Sequence, residues 1–411
     1  MVDKYIFYLL VIGLVLLLAT LGSGWISRLP LSYSLIYLVV GIFLGPYGIN
    51  LIKIRPDAEF LERVTEFVVI VSVFSCGLKM NRPLTFQAWN STGRLIGFLM
   101  PISILGVAEI AYAFMGFNWG AAVLLGAILA PTDPVLASEV QLSHIEDHDE
   151  LRFGLTSEGG LNDALAFPFV YFGLYLLKDH NWEKWFKYWV MVDVIWAIVA
   201  GVGMGIIVAY VVVWLDKQLQ KRRPVDNLMQ DFIALSTILL TYSLTEIVNG
   251  YGFVAVFVAG MMIQRSYRNP EKPLSQLHFT ERIEKLMEVG LILLLGSMLR
   301  VEPMLRFAFP TLLIGGFLLF LIRPIGCWLS TIGGSWSPKT RFLFGWFGIR
   351  GVGSLYYLTY AFGHGLKGFL GEEIGWIVYS IVVISMILHG ISATPLMKYY
   401  QETPERELLN S

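Results

Sequence analysis

Long apolar runs recur along the whole chain, separated by short polar connections. They fall at 5–22, 32–51, 64–80, 92–115, 118–141, 153–178, 187–215, 229–248, 251–267, 282–300, 305–332, 340–363 and 374–397. A run of about 20 apolar residues is the length of an α-helix that crosses a bilayer core. The pattern predicts an all-α polytopic membrane protein with about 13 transmembrane helices. No soluble domain fits between the runs. The longest polar connections lie near 216–228 and 266–282, and the tail 398–411 is short. The first run lacks a strong basic leader and a small-residue cleavage pattern, so it is expected to be a retained span.

Composition agrees. The chain is 56% hydrophobic and 15% charged, with mean hydropathy +0.64. Soluble proteins carry about 25% charged residues, so polar surface is too scarce to coat a soluble body. A net charge of −1 without a basic arm argues against nucleic-acid binding. Cys76 and Cys327 both sit inside apolar runs and are expected to be core residues, not a disulfide framework or a metal site. Lysine and arginine in the loops set the orientation. A cytoplasmic C-terminus puts Lys217, Lys221, Arg222, Arg223, Arg265, Arg268 and Lys272 inside, with about 18 basic residues inside against about 10 outside. The N-terminus is then outside.

An odd number of spans suits two inverted repeats of six with a linking helix, and such repeats carry helix breaks at corresponding places. The fifth run holds Pro131 and Pro134. The twelfth, its counterpart if the seventh is the linker, holds Gly348, Gly351 and Gly353 around Arg350.

The break in the fifth run, "ILAPTDPVLASEV", is chemically loaded. Pro134 has no N–H, so the Ala130 carbonyl loses its helical partner; Pro131 does the same to Ala127. Asp133 precedes a proline and is pushed out of the α region. Unwound backbone survives in a membrane only inside protein or along a wet cavity. Free carbonyls, the Thr132 hydroxyl and the Asp133 carboxylate are hard oxygen ligands that suit a small cation.

The next run carries "SEGGLNDALAF". Glu158 and Asn162 are four apart and share a helix face. Asp163 lies about 100° round from Asn162. Gly159 and Gly160 leave its face open to another backbone. Each charge at a span centre costs about 2.5–3.5 kcal/mol on insertion scales, so the acids need compensation. Arg350 in "FGIRGVGSLYYL" is the expected partner of Glu158. Arg323 in "FLIRPIG" is the second arginine inside a span and the alternative partner. Removing one member of such a pair strands a buried charge.

"PTDP", "EGGLNDA" and "GIRGVGSLYYL", in this order, resemble the NhaP-type sodium/proton antiporters, in the cation/proton antiporter family that also holds the animal sodium/proton exchangers. The likeness in layout covers nearly the whole chain. It implies a six-plus-six inverted repeat with two crossing broken helices, and a homodimer built of a dimer part and a moving core. The core is expected at about 64–178 and 282–397 excluding 305–332, and the dimer part at about 1–51, 187–267 and 305–332. By resemblance Asp163 is the ion-carrying carboxylate and Asn162 its neighbour. Thr132 and Asp133 belong to the unwound crossing, with Na+ at Asp163, Asp133 and Thr132. Glu158 and Arg350 match the buried ion pair. One position departs from the pattern: many relatives have a serine after the motif glutamate, where this chain has Gly159. The missing oxygen must then come from water, Ser157 or a backbone carbonyl.

The expected function is exchange of a monovalent cation, Na+ first, for H+ in the bilayer of a cell membrane, of prokaryotic inner or plasma type. A carboxylate in a span needs a counter-charge, and either a proton or a cation supplies it. Binding one excludes the other, so obligatory exchange follows if only loaded states cross. Asn162 takes up no proton, so one cation per proton is electroneutral. A potassium/proton antiporter of the same fold is the alternative. A cation channel lacks its filter signature, and an enzyme lacks a nucleophile–base pair or a two-histidine helix motif. No cofactor is expected beyond the transported ions. Glu66 is a candidate for lining the cation approach. "SHIEDHDE", 143–150, is expected to be a solvated loop, and Trp182, Trp185, Tyr188 and Trp189 an interfacial belt.

Overall fold

The computed structural model describes residues 32–52, 59–134, 136, 140–142, 147–179, 181–222, 227–267, 271–334 and 336–402, with 6, 10–11, 13–18 and 20–21 of the first run. Among these residues the chain is helical and has no strand. The helices are α1 Tyr33–Leu44, α2 Glu59–Lys79, α3 Asn90–Met115, α4 Trp119–Leu129, α5 Glu150–Leu165, α6 Phe167–Lys178, α7 182–222, α8 Asn227–Ile247, α9 Gly252–Ser266, α10 Glu271–Ser297, α11 Val301–Arg306, α12 Ala308–Ser330, α13 Pro338–Trp346, α14 Val352–Gly363 and α15 Gly368–Glu402. Every expected run from 32–51 onward carries helix; the first lies largely outside the described residues. By length and composition, Asn90–Met115, Glu150–Lys178, Trp182–Leu219, Ala308–Ser330 and Gly368–Glu402 are apolar enough to cross a membrane.

Two expected spans are not single helices. The fifth stops at Leu129, and residues 130–133 have no helical structure. The twelfth splits into α13 and α14 around a non-helical 347–351. The prolines account for the first break. At the second, glycines let other groups come where a side chain would block them.

Small residues set the helix contacts. A Cβ on Gly77 of α2 would meet the Phe257 carbonyl oxygen at 2.3 Å, and one on Gly260 of α9 the Phe74 carbonyl oxygen at 2.6 Å. Backbone-to-backbone approach of this kind is how helices gain contact without a water-driven force. α1 and α10 cross the same way at Gly41 and Gly296. Outward positions such as Val199, Ile207, Trp214, Phe309 and Leu312 are exposed and apolar, as a lipid-facing surface requires.

The two ends of the bundle differ. At one end Arg82 pairs with Glu150 and holds the His148 carbonyl at 3.1 Å, and Arg265 reaches the Arg82 carbonyl. Arg94 binds the Ser330 and Ile332 carbonyls, and Lys339 those of Tyr399 and Tyr400. At the other end a 1280 Å³ vestibule is lined by Glu59, Glu62, Arg63, Arg300, Arg306 and Glu372 among others.

Two helices at the expected boundary pack as follows. α12, assigned to the dimer part, packs on α3, α13 and α15. It also gives Arg323 to α5. α2, assigned to the core from residue 64, packs chiefly on α9 and α10 while also touching α5 and α14.

The α2–α9 crossing is testable. Gly260→Ala should destabilise the fold by about 1–3 kcal/mol, the usual cost of overpacking. Gly203 of α7, with nothing within 4 Å of its Cβ position, should accept alanine. A detergent melting series comparing the two variants checks this; equal melting points would contradict the close crossing.

Candidate ion-binding site

The two unwound stretches lie against each other. The Asp133 N–H donates to the Ile349 carbonyl at 2.8 Å. The Asp133 carboxylate accepts from the Val352 N–H, at the first turn of α14, and from the Leu136 N–H at 3.2 Å. The Arg350 guanidinium donates to the carbonyls of Ala130 and Pro131, the latter at 2.9 Å, just past the end of α4. An acid thus sits at a helix N-terminus and a base at a helix C-terminus, each opposite to the partial charge there. The Arg350 N–H donates to Ser385 Oγ at 2.9 Å, and Ser385 lies 3.2 Å from His389 Nδ1.

Three glycines make room for these groups. A Cβ on Gly351 would lie 1.9 Å from Asp133 Oδ2, and one on Gly353 1.9 Å from Asp163 Oδ1. One on Gly348 would lie 2.0 Å from Arg323 Cδ. Asp133 and Asp163 therefore press on the same turn, residues 351–353.

α5 brings the other acids. Its N-cap is Asp149, which accepts from the Arg152 N–H at 2.9 Å and from Tyr400 at 3.0 Å. In the middle of the helix Glu158 receives two parallel bonds from Arg323, at 2.8 and 3.0 Å, and both side chains are buried. Arg323 also donates to the Phe344 carbonyl at 3.1 Å. This corrects the expected Glu158–Arg350 pair. Arg323 is the partner, and Arg350 serves backbone carbonyls. The fork geometry engages both carboxylate oxygens at once.

Asn162 donates to Glu158 Oε1 at 3.2 Å and to Thr132 Oγ1 at 3.3 Å. Its own Oδ1 is buried and has no hydrogen-bond partner. Asp163 is 1% exposed, and neither of its carboxylate oxygens has a partner. The Tyr357 hydroxyl holds the Asp163 backbone carbonyl. Asp163 and Asn162, neighbours on α5, thus carry buried side-chain oxygens without a partner, and the Asn162 amide ties Thr132 of the crossing to Glu158.

Other expected residues fall elsewhere. The Ala130 carbonyl, expected to be spare, is taken by Arg350, which also binds the Pro131 carbonyl. The Asp133 carboxylate caps α14. Ser157 Oγ is 2.6 Å from Thr92 Oγ1 and 3.1 Å from the Gly154 carbonyl, so it does not replace the oxygen missing at Gly159. A Cβ on Gly159 would lie 3.3 Å from Pro134 Cβ, so that position does face the unwound stretch. Glu66 accepts from Tyr242 and, at 3.1 Å, from Arg63, one turn below the Glu62 of the vestibule. Residues 143–146 of the acidic–histidine loop lie outside the described residues. Trp182 and Tyr188 are exposed, while Trp185 and Trp189 bond the Asp179 and Pro168 carbonyls. Ser385, His389 and Tyr357 were missed. Ser385 and His389 are four apart in an otherwise apolar helix, and that spacing was the available signal.

A family description, "Sodium/hydrogen exchanger, transmembrane", matches residues 13–399. The chain belongs to the sodium/hydrogen exchanger family. Its members are cation/proton antiporters, not enzymes. Among curated relatives, the K(+)/H(+) antiporter NhaP of Alkalimonas amylolytica is 24% identical over 97% of this chain and 67% of its own length. The K(+)/H(+) antiporter NhaP2 of Shewanella oneidensis is 22% identical over 94% of this chain and 66% of its own. The chain thus spans about two thirds of these relatives. The sodium proton antiporter MjNhaP1 of Methanocaldococcus jannaschii, solved at pH 8, superposes with a TM-score of 0.74 at 20% identity, over 96% of this chain and 98% of that one. That likeness shows a shared fold.

The ion-pair assignment predicts a coupling. Glu158→Gln and Arg323→Met should each cost about 3–5 kcal/mol, because each strands a buried charge. The double variant should recover part of that loss, whereas Glu158→Gln with Arg350→Met should not. Folded yield and melting across the two cycles check it; recovery only with Arg350→Met would reverse the assignment.

Proposed function

We propose that the chain is a secondary active antiporter that exchanges Na+ for H+, one for one, by alternating access, with both ions competing for Asp163. The observation that carries this is the Asp163 carboxylate: buried against Gly353 with both oxygens unpartnered, next along α5 to Asn162, whose Oδ1 is also unpartnered and whose amide reaches the Thr132 hydroxyl. A buried carboxylate in this state requires neutralisation. A proton does it, or a dehydrated monovalent cation with oxygen ligands. Glu158 and Asp133 are already committed, to Arg323 and to the start of α14. Asp133 therefore acts by holding the crossing, and Asp163, Asn162 and Thr132 form the direct ligand set.

K+ in place of Na+ is the second reading, favoured by the two bacterial relatives that are named K(+)/H(+) antiporters. Gly159 bears on the choice, since it removes an oxygen from a site whose size and ligand number set selectivity. We further propose an inverted repeat centred on the two breaks and a homodimer. The moving core holds α3–α6 and α12–α15, and α1, α2 and α8–α10 form the dimer part. The basic end of the bundle faces the cytoplasm, as the positive-inside rule directs.

In sealed vesicles, Asp163→Asn should abolish cation-driven proton flux while leaving insertion intact. Gly353→Ala should cut flux at least tenfold, since its methyl takes the place of the carboxylate. Normal flux in Asp163→Asn rules out the site.

Stoichiometry is a separate test. With one carboxylate cycling, no net charge moves, so a potential imposed with potassium and valinomycin should not shift the sodium/proton equilibrium. A moved charge would gain about 2.3 kcal/mol per 100 mV. Potassium must first be shown not to be transported; a shift would mean that a second group carries charge.

A further inference from the structure

An α-helix bonds each carbonyl to the N–H four residues on. At the second break that pair is the Trp346 carbonyl, at the end of α13, and the Arg350 N–H. Residues 347–350 are non-helical, and α15 takes both groups instead. The Arg350 N–H donates to Ser385 Oγ at 2.9 Å, and His389 Nε2 donates to the Trp346 carbonyl at 2.8 Å. A carbonyl only accepts, so Nε2 carries the hydrogen. His389 Nδ1 faces Ser385, 3.2 Å from its hydroxyl and 2.8 Å from its carbonyl. A neutral ring accepts from the hydroxyl, and a charged ring donates to the carbonyl. Either state leaves the bonds to Trp346 and Arg350 in place. The Trp346 carbonyl also receives the Gly348 N–H at 2.7 Å, and the Trp346 indole donates to Ser392 Oγ at 2.9 Å. Residues 385, 389 and 392 are spaced four and three apart, on one face of α15. Ser385, His389 and Arg350 are all buried.

We propose that Ser385 and His389 are positioning residues for cation binding: together they stand in for the missing 346–350 helical bond and hold the second break open. The opening matters at Asp163. From this break Arg350 reaches the Ala130 and Pro131 carbonyls, and Gly351 and Gly353 follow it directly, with the Asp163 carboxylate against Gly353. Released from α15, the Trp346 carbonyl and the Arg350 N–H would bond each other and wind a further turn. Arg350 would draw away from the first break, and the 351–353 turn would shift at Asp163. The effect on cation affinity rests on the exchange reading above; the substitute for the helical bond does not.

The test is a double-mutant cycle of Ser385→Ala and His389→Phe in the purified chain, with two readouts. Melting in detergent without alkali cations reports the bond. Binding of radioactive sodium, or of rubidium as the potassium analogue, reports the site, counted as the part that Asp163→Asn removes. Each single variant should weaken this binding about tenfold, the scale of one lost hydrogen bond to a buried group. The double variant should bind no more weakly than the worse single one, since either release lets the turn form. The melting losses should likewise be less than additive. Additive melting losses overturn the proposal. Lower melting with unchanged cation binding would make the pair merely structural and overturns the positioning role. If His389→Phe does not accumulate, Ser385→Ala decides alone: weaker binding supports the proposal, and wild-type binding overturns it. A wild-type chain that binds neither ion through Asp163 rejects the exchange reading. Less-than-additive melting would then still uphold the substitute bond, and additive melting would overturn it.

Discussion

The structure depends on one contact, the crossing of two unwound strands of backbone inside a helical bundle. Breaking a helix exposes carbonyls at one side and N–H groups at the other, with no water to receive them. Here the two breaks answer each other. Arg350, carried by the second break, takes the carbonyls left at the first. Asp133, carried by the first, takes the N–H left at the start of α14. The direct bond from Asp133 N–H to the Ile349 carbonyl fixes the register. Neither break is tenable alone, and everything at the site is positioned from this pair.

The crossing also explains the close glycine packing. Two backbones and two carboxylates must share one turn, so residues 351 and 353 carry no side chain. Phe347, by contrast, lies buried just outside the turn. α5 approaches from the other side with Gly159 and Gly160 facing the crossing and α2. Asp163, one turn on, is brought within van der Waals distance of Gly353 and is fixed through its own carbonyl by Tyr357.

Much of this was legible in the sequence, for local reasons. Two prolines around an aspartate announce a break wherever they occur, and an acid beside an amide in a glycine-opened span announces a site. Helix positions follow from apolar length. What was not legible was partnership. Arg323 and Arg350 are both single arginines in apolar runs, and nothing local tells which faces Glu158. Packing makes the choice: the Arg323 side chain lies against Gly348, where a Cβ would block it, and donates to the Phe344 carbonyl. Ser157 was offered as a ligand by its place next to Glu158, but a helix turns 100° per residue, and its hydroxyl faces Thr92.

The charges around the crossing then lead to a single step of chemistry. Glu158 and Arg323 cancel as a pair. Arg350 and Asp133 sit on opposite helix ends and cancel as a second, distributed pair through the backbone between them. Asp163 is left over. It is the one carboxylate of the three whose oxygens meet no donor. The surroundings are therefore balanced to zero before any ion arrives, and the remaining charge is one. A single proton or a single monovalent cation completes the balance, and a second of either would unbalance it by as much as the absence of the first. On the proposed exchange reading, competition between the two ions needs no gate of its own. It follows from having built every other charge at the crossing a permanent partner and having left Asp163 without one.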